Sequence, residues 1–323
     1  MTPTLKVALV SDVHANYPAL KQVLKDAKAA KVTDLWVLGD VLGRGPLPVS
    51  CINLLDTWHP SIWLMGNHDK VTLDYYYRLA EDKITSQHLV MKGSDESVLA
   101  KWHAVQLYLG LKPKRVKLLN QAPNWQAACE GRIYAAHGAI LSSDPHEILN
   151  IGSSAYIKPY NAQNAATNTL KNIRDNLAPP IRPHLLVHGH THETGYAYPK
   201  NWENIEPGSI QWQPYNQGVK IGEEYELSFL EAESQPWLIC PGSVGEIRTP
   251  GTPPNLAGYA ILEVKEDRYV LEFRQVEYEL GEYLAAMALV DPQSRERSRA
   301  IIRDLYTLVP ENLAAQTGEQ ENE

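Results

Sequence analysis

Aspartate, asparagine and histidine recur in this chain in short clusters, each directly behind a run of apolar, often β-branched residues. Asp12-Val13-His14 follows the first such run, Gly39-Asp40 the second and Gly66-Asn67-His68-Asp69 the third. His137-Gly138 and His188-Gly189-His190-Thr191-His192 follow later ones. Carboxylate and imidazole with one carboxamide and no thiolate form a donor set suited to Mn, Fe or Zn, and less to Ca or a structural zinc finger. Asp12/His14 and His190/His192 are spaced i, i+2, which projects both members of a pair to one side of a strand end. Where the backbone curls, the members can part toward adjacent ions, and the ligands suffice for two metals. Two metals about 3.5–4 Å apart are a device for in-line displacement at phosphorus.

These side chains need a scaffold that brings distant segments to one edge. Strand-like runs at Lys6–Ser11, Asp34–Gly39, Ser61–Met65, Arg132–Ala136 and His184–Val187 alternate with helical ones. Asn16 can cap a helix with Pro18 in its first turn, and Leu20, Val23, Leu24 and Ala27 follow at helical spacing. Pro48 to Leu55 reads as a second helix, residues 70–125 as mostly helical, and Asn161–Asn176 as another helix. Further on, Pro236–Pro241, Gly258–Val264 and Arg268–Tyr278 read as strands, followed by a helix over roughly 280–307. The class is α/β, with mixed sheets covered by helices. In such open sheets ligands bind beyond the carboxyl ends of the strands, where the polar clusters fall.

Composition sets the outer bounds. Lys and Arg total 30 against 38 Asp and Glu, a formal net charge of −8, with 44% hydrophobic residues. Disorder and collagen-like bias are excluded, no apolar run is long enough for a membrane span, and the N-terminus lacks the pattern of a signal peptide. A cytoplasmic protein is expected. The acidic balance disfavours extended nucleic-acid binding, which needs clustered cations. The Lys112-Pro113-Lys114-Arg115-Val116-Lys117 stretch reads as a solvated face. Cys51, Cys129 and Cys240 are isolated and read as small buried hydrophobes in a reducing compartment.

Taken in order, Asp12-x-His14, Gly39-Asp40, Gly66-Asn67-His68-Asp69, His137 and Gly189-His190-Thr191-His192 resemble the calcineurin-like metallophosphoesterase superfamily. Gly39-Asp40-Val41-Leu42-Gly43-Arg44-Gly45-Pro46 is similar to the G-D-x-x-G-x-G-P of its small bacterial phosphodiesterase branch. Cys240-Pro241-Gly242-Ser243-Val244-Gly245 with Arg248, then Gly258-Tyr259-Ala260, resembles that branch's N-P-G-S-V-G element, with Cys in place of Asn. Gly43 stands where protein-phosphatase-like members have Asp, which favours the phosphodiesterase branch.

The resemblance implies a four-layer α/β/β/α sandwich of two mixed sheets flanked by helices, holding two divalent metal ions of Mn, Fe or Zn. Asp12, His14 and His192 would hold the first ion, Asn67, His137 and His190 the second, and Asp40 would bridge. His68 would act as general acid or charge stabiliser with Asp69 orienting its ring; Arg44 and His188 are candidate substrate contacts, and for His188 a strand-end histidine bonded to backbone is the equal alternative. The expected activity is hydrolysis of a phosphodiester, or a phosphomonoester, by a metal-bridging hydroxide attacking phosphorus in line. The partner would be a small phosphorylated substrate, with oligomeric state left open. A non-catalytic protein-binding scaffold on the same fold and a nuclease are the rival readings.

Residues 1–309 are read as one domain with insertions at about 70–128 and 195–236, and 310–323 as a flexible tail. For the aromatic stretch with Tyr196, Tyr198, Trp202, Trp212 and Tyr215, two readings stand: a cap that stacks on a nucleobase, or a β-hairpin packing its own aromatics. His59, His88, His103, His146 and His184 show no partner pattern and are read as surface or packing residues.

Overall fold

The structure is a computed structural model that describes residues 5–82, 95–146, 165–177, 183–206, 209–215, 217–246, 253, 255–288 and 290. In chain order the first half runs β1 (Leu5–Val10), α1 (Tyr17–Ala29), β2 (Asp34–Val37), α2 (Pro48–Asp56), β3 (Ile62–Trp63), α3 (Asn67–Asp82), α4 (Asp95–Gly110), α5 (Pro113–Asn120), β4 (Trp125–Ala128) and β5 (Ile133–Ala136). The second half runs α6 (Ala165–Asn172), β6 (Leu185–His188), β7 (Thr194–Pro199), β8 (Ile210–Pro214), β9 (Glu224–Ser228), α7 (Phe229–Ser234), β10 (Trp237–Pro241), β11 (Leu256–Val264), β12 (Arg268–Glu277) and α8 (Leu280–Met287).

The strands form two six-stranded sheets, ordered β3-β2-β1-β11-β12-β9 and β4-β5-β6-β10-β7-β8. Both are mixed. β1 pairs parallel to β2 and antiparallel to β11, while β6 pairs parallel to β5 and β10, which in turn pairs antiparallel to β7. The period-2 alternation of the strands explains the layering. Val7, Leu9, Trp36 and Leu38 from one sheet meet Ile133, Ala135, Leu185, Val187 and Ile239 from the other in an inter-sheet core. Their neighbours Ala8, Val10, Leu35 and Val37 turn outward onto Leu20, Val23 and Leu24 of α1 and onto Cys51, Ile52 and Leu55 of α2. On the far side Tyr134, Ala136, Leu186 and Leu238 pack with Ala166 and Leu170 of α6. The result is the helix–sheet–sheet–helix sandwich that the resemblance implied. Each fully buried aliphatic side chain contributes about 1.5–3 kcal/mol, so the sheets form a rigid frame for their ends.

Local signals work as read. The Asn16 side chain caps α1 by accepting from the Ala19 N–H at 3.2 Å, and a proline occupies the first turn. Three details differ from the sequence reading. Asn67-His68-Asp69, expected as a loop, opens α3 itself, because Asp69 accepts the Gly66 N–H at 3.0 Å within the first turn. Residues 195–236, expected as an insertion, supply β7 and β8 to one sheet and β9 to the other. The expected third strand shrinks to Ile62–Trp63. The helix expected over 280–307 is described only as α8, and residues 161–164, His88, Arg248 and the tail lie outside the described residues.

Within the aromatic stretch β7 and β8 pair antiparallel, and its rings pack on the fold: Tyr196 stacks on Trp237 of β10 with ring centroids 4.2 Å apart, and Trp202 is buried against the core under α6. No described helix is long and apolar enough to cross a membrane. The three cysteines carry free thiols.

Candidate metal centre

The carboxyl ends of β1, β2, β5 and β6 converge, and the backbone there is unusual. Asp12, His14, Asp40, His190 and His192 all lie at positive φ, between +48° and +68°. Non-glycine residues seldom adopt this conformation, and a cluster of such outliers persists only where the surroundings over-determine it. Cross-strand bonds do so here. The Asp12 N–H donates to Gly39 O at 3.1 Å, the His14 N–H to Asp40 O at 2.9 Å and the Gly189 N–H to His137 O at 3.0 Å. Ser243 adds a brace from the Pro-Gly-Ser-Val-Gly element. Its hydroxyl donates to Asp12 O at 2.9 Å and accepts the Glu246 N–H at 2.8 Å.

Three imidazoles are anchored the same way. The Nδ1–H of His14 donates to Leu42 O at 3.1 Å, that of His137 to Leu38 O at 2.8 Å and that of His192 to Glu246 O at 2.8 Å. A carbonyl can only accept, so each Nδ1 carries the proton and each Nε2 presents its other face to the site. His14 Nε2 and His192 Nε2 face each other at 3.1 Å, and His192 Nε2 lies 3.3 Å from Asp12 Oδ1. His137 Nε2 lies 3.3 Å from Asp40 Oδ2 and 3.1 Å from Asn67 Oδ1.

Two sets of donor atoms, Asp12/His14/His192 and Asp40/His137/His190, each lie within 4.8 Å of one another, and Asp40 also groups with His14 and His68. The structure thus brings together every proposed metal-holding residue, with Asp40 between the two sets. The donor set fits divalent cations. Two lone pairs facing each other at this range repel unless a cation stands beside them, and the outer nitrogens of His14, His137 and His192 are already held by carbonyls.

The electrostatics agree. Burial opposes charge on Asp12 and Asp40, yet His192 beside the first and His137 beside the second hold both carboxyls below the usual range. Burial likewise disfavours a charged His137, but Asp40 lifts its imidazole to about 10. His190 moves the other way, to about 4, through burial and the charge of His137. The site therefore holds buried anionic oxygens that attract a positive charge.

Two glycines show how closely the walls approach. A Cβ on Gly66 would collide with the Asp40 carboxylate and its backbone. Gly43, at φ +95°, lies so close to His68 that a Cβ would sit 2.8 Å from its Nδ1. The glycine at this departure from the protein-phosphatase pattern is thus required by the His68 ring.

His68 is half-buried on the first turn of α3, its N–H donating to Asp40 Oδ1 at 2.8 Å and its ring edge-on to His14. Asp69 does not take its expected place on that ring. Its oxygens accept the Leu42 N–H at 2.8 Å and the Gly66 N–H at 3.0 Å, so it ties two loops together. Burial and the charge of Asp40 raise the Asp69 carboxyl to about 7 against those bonds. His188 is 1% exposed with Nδ1 3.0 Å from Gly189 O, the geometry of a strand-end histidine bonded to backbone. Arg44 is partly exposed, and its guanidinium pairs with Glu246 at 3.0 Å.

Three partners escaped the sequence reading. Glu246 binds both Arg44 and, through its carbonyl, His192. Ser11 donates to Asp12 Oδ2 at 2.6 Å. His103 of α4, read as surface or packing, is fully buried, with burial pushing its imidazole down to about 4. Its Nδ1 accepts the Gly43 N–H at 3.0 Å and its Nε2–H donates to Gly45 O at 2.6 Å. Ser11 and Glu246 each adjoin a recognisable motif, whereas His103 does not. His184, also read as surface or packing, is buried as well, with Nδ1 2.8 Å from the Tyr269 hydroxyl.

A family model described as calcineurin-like phosphoesterase matches residues 5–229. An uncharacterized protein of Methanocaldococcus jannaschii is 32% identical over 94 residues, 28% of this chain and 38% of its own length. A symmetrical bis(5'-nucleosyl)-tetraphosphatase of Proteus mirabilis is 26% identical over 147 residues, 44% of this chain and 54% of that protein. The chain thus spans only part of the length of these curated relatives. Among solved structures, a metallophosphoesterase from Sphaerobacter thermophilus is 28% identical, with a TM-score of 0.63 over 92% of this chain and 98% of that one. A hypothetical protein from Pyrococcus horikoshii, 15% identical, shares the fold at a TM-score of 0.51 over 89% of this chain and 95% of that one.

Proposed function

The chain belongs to the calcineurin-like phosphoesterase family, and from that premise we propose that it is a dinuclear metal-dependent hydrolase of a small phosphate ester, a diester before a monoester. The observation that carries this reading is the convergence of three carbonyl-anchored imidazoles on the buried carboxylates of Asp12 and Asp40. Asp12, His14 and His192 would hold one divalent ion, Asn67, His137 and His190 the other, with Asp40 shared. Mn, Fe and Zn all suit these donors. Ions bound there supply Lewis-acid charge to phosphate oxygens and lower the pKa of the attacking water.

The chain's own side chains do the rest. His68, on the half-buried rim, protonates or stabilises the departing oxygen. Arg44 exchanges Glu246 for a substrate phosphate oxygen. Asp69 keeps the His68 turn and the Leu42 loop in register through its two backbone bonds. The surplus of acids over bases is compatible with an anionic substrate, because two divalent ions bring four positive charges to the site. The same reading places the protein in the cytoplasm with a small phosphorylated partner. An extended nucleic acid is disfavoured, since Arg115 of the longest basic stretch already pairs with Asp56 and covers Trp63.

The test is a panel of esters run on protein of defined metal content: bis(p-nitrophenyl) phosphate, p-nitrophenyl phosphate and a dinucleoside tetraphosphate. The last is included because relatives of 26% identity carry that activity in their names. Hydrolysis abolished by chelation and restored by Mn supports the reading. Metal-replete protein inactive on the whole panel points to a scaffold and overturns it.

A further inference from the structure

We propose that His103 is a positioning residue of the site, a single imidazole that grips the backbone of the two glycines flanking Arg44 and so sets the wall behind His68. Arg44 lies at φ +36° and Gly43 at φ +95°, a left-handed turn that a loop does not hold unaided. The turn is tied to its surroundings through Leu42 and Gly45. The Leu42 N–H is held by Asp69, its carbonyl by His14 Nδ1, and the Gly45 N–H reaches His14 O at 2.8 Å. Of the two buried glycines that flank Arg44, Gly43 presents its N–H and Gly45 its carbonyl to His103, which meets both.

Only a neutral imidazole with its proton on Nε2 can accept at one end and donate at the other. Without it, a buried donor and a buried acceptor lose their partner together, and the turn relaxes. The consequence reaches the reaction because the Gly43 Cα backs the His68 ring, and Arg44 leads to Glu246, whose carbonyl orients His192. Helix α4, reached through a segment read as an insertion, thereby becomes part of the site's machinery. The kinetic arm of this inference rests on the phosphoesterase reading; its structural arm does not.

The experiment compares His103→Phe, His103→Gln and His103→Asn with the parent chain in the same Mn-loaded form. Asn can still accept from Gly43, Gln can still donate to Gly45, and Phe does neither. Amide hydrogen exchange at Gly43 is expected to accelerate at least about tenfold in the Phe and Gln variants and much less in Asn, with the sheet amides unchanged. Hydrolysis of bis(p-nitrophenyl) phosphate is expected to fall about 10–100-fold in kcat/KM for Phe, with partial recovery in Asn and Gln. Parent-like Gly43 exchange in the Phe or Gln variant overturns the proposal. So does faster exchange spread evenly over the sheets, which marks a merely structural role, or equal kcat/KM losses in all three variants. If the parent chain hydrolyses no ester, the functional reading fails while the exchange data still decide this one.

Discussion

At three of the four histidines proposed to hold metal, a single hydrogen bond decides what the side chain can do. His14, His137 and His192 each spend their Nδ1–H on a carbonyl, and that choice leaves Nε2 as the inward atom. Asp12 is oriented as firmly: Ser11 and the His190 N–H hold its oxygens while Ser243 holds its carbonyl. Ser243 therefore tests how far the brace matters. Its replacement by Ala leaves the buried Asp12 carbonyl and Glu246 N–H without that hydroxyl. The expected loss is about 1–3 kcal/mol of stability in urea unfolding, with weaker retention of Mn on dialysis. Unchanged stability and retention would show that Ser243 only fills space.

The ligands sit on strand ends because the strands stop there, and the alternation that buries Val7, Leu9, Trp36 and Leu38 fixes where they stop. That much was legible in the sequence: apolar runs with abrupt polar endings are local signals, and each metal-holding residue follows one. The roles of Asp69 and His103 were not, because both depend on loops brought together by the packing of α3 and α4. The hairpin that was one of the two readings of the aromatic stretch corresponds to β7 and β8, but its incorporation into a sheet, and β9, were not legible: β7 and β9 pair with β10 and β12, which lie far along the chain, and the aromatics carry no regular period.

Close approach between elements predicts a further effect. Gly66→Ala would force α3 away from the Asp40 carboxylate, and activity is expected to fall at least about 100-fold, as displacement of reacting groups by about 1 Å does. An active Gly66→Ala protein would mean that α3 can slide without harm. Between the sheets, burial and Arg132 depress the His184 imidazole below its ordinary value, and it accepts the Tyr269 hydroxyl at 2.8 Å. The unfolded chain takes up that proton first, near pH 6.5. The contribution is thus complete above that pH and shrinks as pH falls toward the lower folded value. Urea midpoints at pH 7.5 and 5.5 are expected to differ less in His184→Gln than in the parent; an equal difference would remove His184 from the acid response.

Over the whole molecule, an excess of eight negative charges surrounds a centre built to gather positive ones. Of the eleven histidines that formal charge counting omits, five, His14, His68, His137, His190 and His192, stand at this one edge. On the proposed function, the local field of a metal-loaded site would draw a small anion, whereas a polymer would meet the acidic surface. Activity on a small diester is accordingly expected to change less than about threefold between 50 and 300 mM salt, with no shift of duplex DNA in a gel. Tight, salt-sensitive DNA binding would favour a nuclease instead.

The central claim is that Asp40 lies between two divalent ions that make the site a catalyst. The most direct measurement is hydrolysis of bis(p-nitrophenyl) phosphate by chelator-stripped protein during titration with Mn, for the parent chain and for Asp40→Ala. The account predicts no activity at the start, a rise that levels off at two equivalents per chain, and at least a 100-fold lower plateau for Asp40→Ala at the same fold content. Turnover by the stripped protein, or a full plateau in Asp40→Ala, would contradict it.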